Sequence, residues 1–260
     1  MTAVSLPLRL SSPLRRVVVT GVGAVTPLGN TVASTWSNLT GRCVDGGEGG
    51  EHGDDDGRGI TTLERSLLHQ GLTTECLDRE MSLASSLPCR VAAPVRGVDR
   101  GDGRTARFAK FAVMAGREAA KSAGIDVYLG SDVRDDDEGE SGRKSPPYCE
   151  EEEENGEEMR NRRDRSGCCI GSGMSSTRGV VEASRDTYPR GTVRRLTPHF
   201  IPLVLPNTAS GRVSLDLGLR GPCHAVSTAC ASGAHAIGDA MRFIRYGDAD
   251  VMLAGGAEGE

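Results

Sequence analysis

An α/β fold follows from three features of this 260-residue chain. An apolar run at Arg16–Gly21 breaks into a glycine turn, and Ser166–Gly171 does the same. A third short strand, around Ala225 and Val226, runs straight into an amphipathic helix. Short strands alternating with helices describe a sheet packed between helical layers.

Composition narrows the class. The length allows one large or two modest domains with a sizeable core. A net charge of -5 argues against a general nucleic-acid binder, and 3% aromatic residues beside 35 glycines suggest close-packed elements rather than a bulky core. Eight cysteines without a signal-peptide core point to free thiols in a reducing compartment, and no stretch reads as a membrane span. Residues 1–14 read as an N-terminal extension or weak presequence, because the opening stretch carries Arg9, Arg15, Arg16 and serines but no acid. A mitochondrial or plastid location follows from that reading, with a cytoplasmic one as the alternative.

In chain order, Arg16–Gly21 reads as a buried strand and Asn30–Leu39 as a helix carrying Trp36. Gly21-Val-Gly23 does not mark a dinucleotide site: the third glycine is out of register, Pro27 interrupts the turn, and no acid stands where a ribose needs one. Residues 41–86 read as a loop. His52 with Asp54–Asp56 lacks cation-ligand spacing. Strand character returns at Ser86–Val95. Arg96, Arg100, Arg104 and Arg107 then lead into a helix over Thr105–Ser122 that stops at Gly124, with Phe108, Phe111, Ala112, Ala115 and Ala119 on one face. The run from Asp132 to Arg165 is acidic and poor in apolar residues, and reads as a disordered insertion. Cys168 and Cys169 fall on opposite faces of their strand, which suits packing rather than a shared metal. Pro206–Pro222 reads as a helix and a turn.

The organising stretch is Pro222–Gly247. Ser227 and Thr228 are candidate caps, apolar residues recur at helical spacing from Ala229, and Gly247 supplies the stop. Cys230 stands at the strand-to-helix junction. A cysteine in a helix's first turn faces unpaired N–H groups and the positive end of the helix dipole, which favour thiolate, the nucleophilic form. Ala229, Ala231, Ser232 and Gly233 leave room for a thioester. An unpaired cysteine is also, often, a small buried hydrophobe. Cys223, His224, Cys230 and His235 do not have zinc spacing, so no metal is expected, and no cofactor. His235 projects well away from the sulfur and reads as structural.

The segment Ser227-Thr-Ala-Cys230-Ala-Ser-Gly-Ala-His235-Ala-Ile-Gly-Asp-Ala, continuing through Tyr246 to Glu258, resembles the nucleophile segment of beta-ketoacyl-acyl-carrier-protein synthases of the elongating type. The resemblance covers roughly residues 14–42, 88–128 and 165–258. It implies a thiolase-type fold, of which this would be the first half, with a mixed sheet between helices and a buried nucleophile helix. It implies that Cys230 takes an acyl group from acyl carrier protein and that malonyl-acyl carrier protein, losing carbon dioxide, attacks the resulting thioester to give a 3-oxoacyl product. It places Met174 at the end of the acyl pocket and Arg100 and Arg104 where an acidic carrier protein docks, and it suggests a homodimer. Two histidines and a phenylalanine N–H of the family lie in a second half, and none of the five histidines here matches that pair. On this reading residues 15–260 are an N-terminal half, inactive alone. The alternatives are a non-catalytic carrier-binding or dimerisation module, or a thiolase-type enzyme acting on coenzyme A esters.

Overall fold

The computed structural model describes residues 14–41, 61–62, 74–89, 91–98, 104–125, 153–188 and 196–259. In chain order these form α1 (Val32–Thr40), β1 (Thr61–Thr62), α2 (Thr74–Ser86), β2 (Val91–Ala92), α3 (Arg107–Ser122), α4 (Glu153–Asp164) and β3 (Ser166–Gly171). There follow α5 (Thr177–Thr187), α6 (Phe200–Val204), α7 (Thr208–Leu217), β4 (Cys223–His224), α8 (Ser232–Tyr246) and β5 (Val251–Gly256). The α/β architecture centres on β3. This strand pairs in parallel with β4 on one side and β5 on the other, and β1 and β2 make a separate antiparallel pair.

Every residue of β3 is buried, so both of its faces must be covered, as parallel strands require. Cys168 and Ile170 face α3 and α7, where Phe108, Ala112, Ala209, Val213 and Leu217 complete the larger core. Cys169 faces the other way, against Ala236 and Ala240 of α8. Small side chains on α8 let the helix lie close to the sheet. The opposite side of α8 is open, with Ile237 54% and Met241 40% exposed, so α8 is half-buried where a buried helix was expected. Among the described residues only one sheet layer packs on it.

Helix ends follow local chemistry. Thr31 and Ser34 form a capping box at the start of α1, and Gly218 and Gly247 close α7 and α8 in the left-handed conformation. No helix among the described residues is long and apolar enough to cross a membrane.

Three expectations need correction. Arg16–Gly21 is not a strand: Val18 and Val19 are 62% and 82% exposed. A strand is defined by a ladder partner, and this segment runs instead along α3, where Ala24 N–H donates to Glu118 and Gly21 and Gly23 meet the helix backbone. Residues 41–86 are not loop throughout, because α2 occupies 74–86 with Leu77, Met81 and Ala84 at helical spacing. The disorder assigned through Arg165 extends too far. Residues 153–164 form α4, in which Glu158 pairs with Arg162 at 2.7 Å and arginines in the last turn complement the helix dipole. The helix is tied to the fold: Arg162 O accepts from Ser166 Oγ at 2.7 Å and Arg163 O from Arg220 N at 3.0 Å. The expected insertion between 132 and 152 lies outside the described residues, as do His52, Asp54–Asp56 and residues 1–13.

Arg165 closes the other end of this junction. Its guanidinium donates to both Asp250 oxygens, at 2.5 and 2.9 Å, and to Gly247 O at 2.9 Å, while Arg15 also donates to Asp250. The Arg165 hydrogen bond holds the Asp250 carboxyl down at about 2, against an ordinary 3.8. Native and unfolded chains therefore bind the Asp250 proton at different pH, and the stability this supplies is present above pH 3.8 and lost as pH falls through about 2. Urea midpoints measured from pH 5 downward should show wild type losing its advantage over Asp250→Asn across that window. A gap that stays constant would separate Asp250 from the acid response.

Candidate active site

The candidate nucleophile sits on a tight elbow rather than in a helical turn. Strand β4 ends at His224, the chain turns through Thr228–Ala231, and α8 begins only at Ser232. Ala231 N–H donates to Thr228 O at 3.2 Å, and Ala229 inside this turn has φ 52, the one non-glycine among the described residues with positive φ. A left-handed conformation crowds the Cβ of an L-residue, so surrounding contacts must hold it. Cys230 is exposed, next to this residue and one position ahead of the helix N-cap, Ala231.

The expected caps, Ser227 and Thr228, do not cap α8, whose N-cap makes no side-chain hydrogen bond. Ser232 takes over that region. Its hydroxyl accepts from Thr228 N–H at 2.9 Å and donates to Ala229 O at 2.6 Å, and its own N–H also donates to Ala229 O at 3.0 Å. Thr228 Oγ1 lies 2.8 Å from His235 Nδ1, so His235 joins the elbow to α8 from the helix side. His224 faces Asp239 at 3.7 Å and the edge of Phe243 at 5.8 Å.

The floor of the site is backbone. Gly171 at the end of β3 packs on Ser232, and an added Cβ would stand 2.5 Å from the Ser232 carbonyl carbon and 2.9 Å from its Cβ. Gly171→Ala should push the first turn of α8 off the sheet, at a cost of about 1–3 kcal/mol for overpacking. Chemical denaturation monitored by circular dichroism checks this, and an unchanged midpoint would show that the helix start yields without cost.

Beyond Gly171 the turn continues to Met174. Glu258 Oε2 accepts from Gly173 N–H at 2.8 Å and Oε1 from Met174 N–H at 2.9 Å, which fixes this turn beside Ala229. Neither Glu258 nor Ser232 is evident from sequence spacing. Glu258 is separated from its partners by more than 80 residues, and the only local sign of Ser232 is a hydroxyl residue in the first turn of a helix lacking another cap.

The other predicted site residues fall as follows. Met174 has an anchored backbone and a 66% exposed side chain. Arg104 is exposed just ahead of α3, and Arg100 lies outside the described residues. Of the same basic cluster, Arg107 is committed internally, lying 5.5 Å over the Phe111 ring with Nη2 donating to Val95 O at 3.2 Å. Burial raises the Cys168 thiol well above the usual range, with Cys223 adding to it at a sulfur separation of 3.9 Å; burial likewise pushes Cys169 up to about 11. Among the described residues no group of three or more His, Cys, Asp or Glu side chains is placed to hold a metal ion.

The site is thus a strand-to-helix elbow that carries an exposed cysteine at the edge of a parallel sheet. Residues 151–260 match the family described as beta-ketoacyl synthase, N-terminal domain. The mitochondrial 3-oxoacyl-[acyl-carrier-protein] synthase of Arabidopsis thaliana is 39% identical over 257 residues, covering 94% of this chain and 45% of its own length. The 3-oxoacyl-[acyl-carrier-protein] synthase 2 of Staphylococcus aureus strain COL is 31% identical over 244 residues, covering 94% of this chain and 46% of its own. A crystal structure of a beta-ketoacyl synthase from Burkholderia phymatum superposes with TM-score 0.58 at 24% identity, over 94% of this chain and 47% of that one. The family match thus covers residues 151–260, and the similarity to these synthases extends over 94% of the chain. The chain spans about half the length of the curated relatives it matches.

Proposed function

We propose that this chain provides the acyl-accepting half of a 3-oxoacyl-acyl-carrier-protein synthase of fatty-acid synthesis, with Cys230 as the acylated nucleophile. The observation that carries the reading is the exposed sulfur beside a left-handed alanine at the sheet-to-helix junction. In the first step the Cys230 thiolate attacks the carbonyl carbon of an acyl thioester. The new carbon–sulfur bond forms, the carrier's carbon–sulfur bond breaks, and the departing carrier thiolate takes a proton. The Cys230 backbone N–H serves as one oxyanion donor. In the second step malonyl-acyl carrier protein loses carbon dioxide, and its carbanion attacks the Cys230 thioester. The 3-oxoacyl product forms and the thiolate returns.

Supporting features bear on the partner and the substrate. Acyl carrier protein stands in the names of both relatives, and Arg104 with Arg100 would meet its acidic surface, a pairing that speeds encounter more than it tightens binding. Met174 would lie at the far end of the acyl pocket, where a flexible thioether adapts to chain length. The working enzyme is read as a homodimer. A mitochondrial or plastid setting, with a cytoplasmic one as the alternative, is the reading for location, and the mitochondrial Arabidopsis relative supports its first form. Incubation with acyl-acyl carrier protein, followed by peptide mass mapping, should find one acyl group on the peptide containing Cys230. An adduct on Cys89 or Cys223 instead would overturn the assignment.

A further inference from the structure

We propose that Ser232 is a positioning residue for Cys230: its buried hydroxyl clamps the elbow so that Ala229 stays left-handed and the sulfur stays presented. The inference deepens the preceding reading and rests on Cys230 being the acyl acceptor. Ser232 is 3% exposed, and its hydroxyl makes both a donor and an acceptor contact inside four residues, to Ala229 O at 2.6 Å and from Thr228 N–H at 2.9 Å. These two contacts bracket the peptide unit that sets φ of Ala229. Alanine prefers negative φ, and rotation toward that region would swing the following residue, Cys230, to a new direction. Gly171 packs against the Ser232 backbone from below, so the clamp stands on the sheet rather than on a mobile loop. Ser232 does not need to touch substrate to act in this way.

The effect is read by iodoacetamide alkylation of the full chain, with the rate at Cys230 referred to exposed Cys89 in the same sample and the melting temperature recorded alongside. Ser232→Ala should slow Cys230 by about tenfold, since displacement of a reacting group by an ångström can cost that much or more. Putting Ala229→Gly into the Ser232→Ala background should bring Cys230 back to within about threefold of wild type, because glycine occupies positive φ without steric cost. That restoration is the decisive readout, since a side chain that served stability alone would not be replaced by backbone permissiveness at position 229. The double variant also settles the matter if the single one folds poorly. Cys230 alkylated at the wild-type rate in Ser232→Ala, or still slow in the double variant, would overturn the proposal while leaving the nucleophile in place. Wild-type Cys230 reacting no faster than Cys89 would overturn both.

Discussion

Cys230→Ala should lower acyl loading of the chain from acyl-acyl carrier protein by at least about a thousandfold, equivalent to about 4 kcal/mol of barrier. The size of the effect rests on what the other thiols among the described residues can do. Cys168 and Cys169 are fully buried on opposite faces of β3, and burial pushes both thiols toward the protonated, unreactive form. Cys223 is exposed at the chain's approach to the elbow, with Cys168 3.9 Å from its sulfur, and Cys89 follows α2 far along the chain. Neither stands at a strand-to-helix turn. Intact-mass kinetics on wild type and variant checks the claim, and loading within tenfold of wild type would move the nucleophile elsewhere.

The second large effect concerns stability. Phe108 is 1% exposed and heads the fully buried side chains, in the core that joins α3 and α7 to β3. Phe108→Ala should cost about 3–5 kcal/mol, because the transfer energy of the ring is lost and the surrounding helices close only partly over the cavity. Leu215, on the outer side of α7 and 79% exposed, is the matched control, and its alanine variant should fall within about 0.5 kcal/mol of wild type. Urea unfolding of the two variants gives the comparison. Equal midpoints would show that α3 does not anchor the sheet.

Legibility from sequence divides along the range of the interaction involved. Helices α3, α7 and α8 are readable because an apolar face and a terminal Gly124, Gly218 or Gly247 are local signals. The opposed burial of Cys168 and Cys169 follows from strand alternation alone. Helix α5 escapes notice although Ser176 caps it through Gly179 N–H at 3.1 Å, because a glycine in the first turn looks like a breaker. Helix α4 escapes because its charge composition dominates the reading, while its anchors, Asp250 and Arg220, lie well downstream in the chain. Arg16–Gly21 shows the converse error: apolar, β-branched residues suggest a strand, but pairing is a property of two segments. At the site, the junction at Cys230 is visible in sequence, whereas the start of α8 at Ser232 is set by a hydroxyl bridging two backbone groups.

The contact between α8 and β5 has an operational consequence. Gly233 and Gly256 meet backbone to backbone, and a Cβ added at Gly256 would stand 3.0 Å from the Gly233 Cα. The start of the helix is thus located by main chain against main chain, with no side chain between to repack. Softening of the distant core by heat or by substitution cannot be passed to the elbow as a graded shift. It reaches the sulfur only when the helix leaves the sheet altogether. Damage remote from the site should therefore reduce the number of molecules whose Cys230 can be alkylated at the native rate and leave that rate unchanged in each of them, so that the amplitude of the fast labelling phase falls while its rate constant does not.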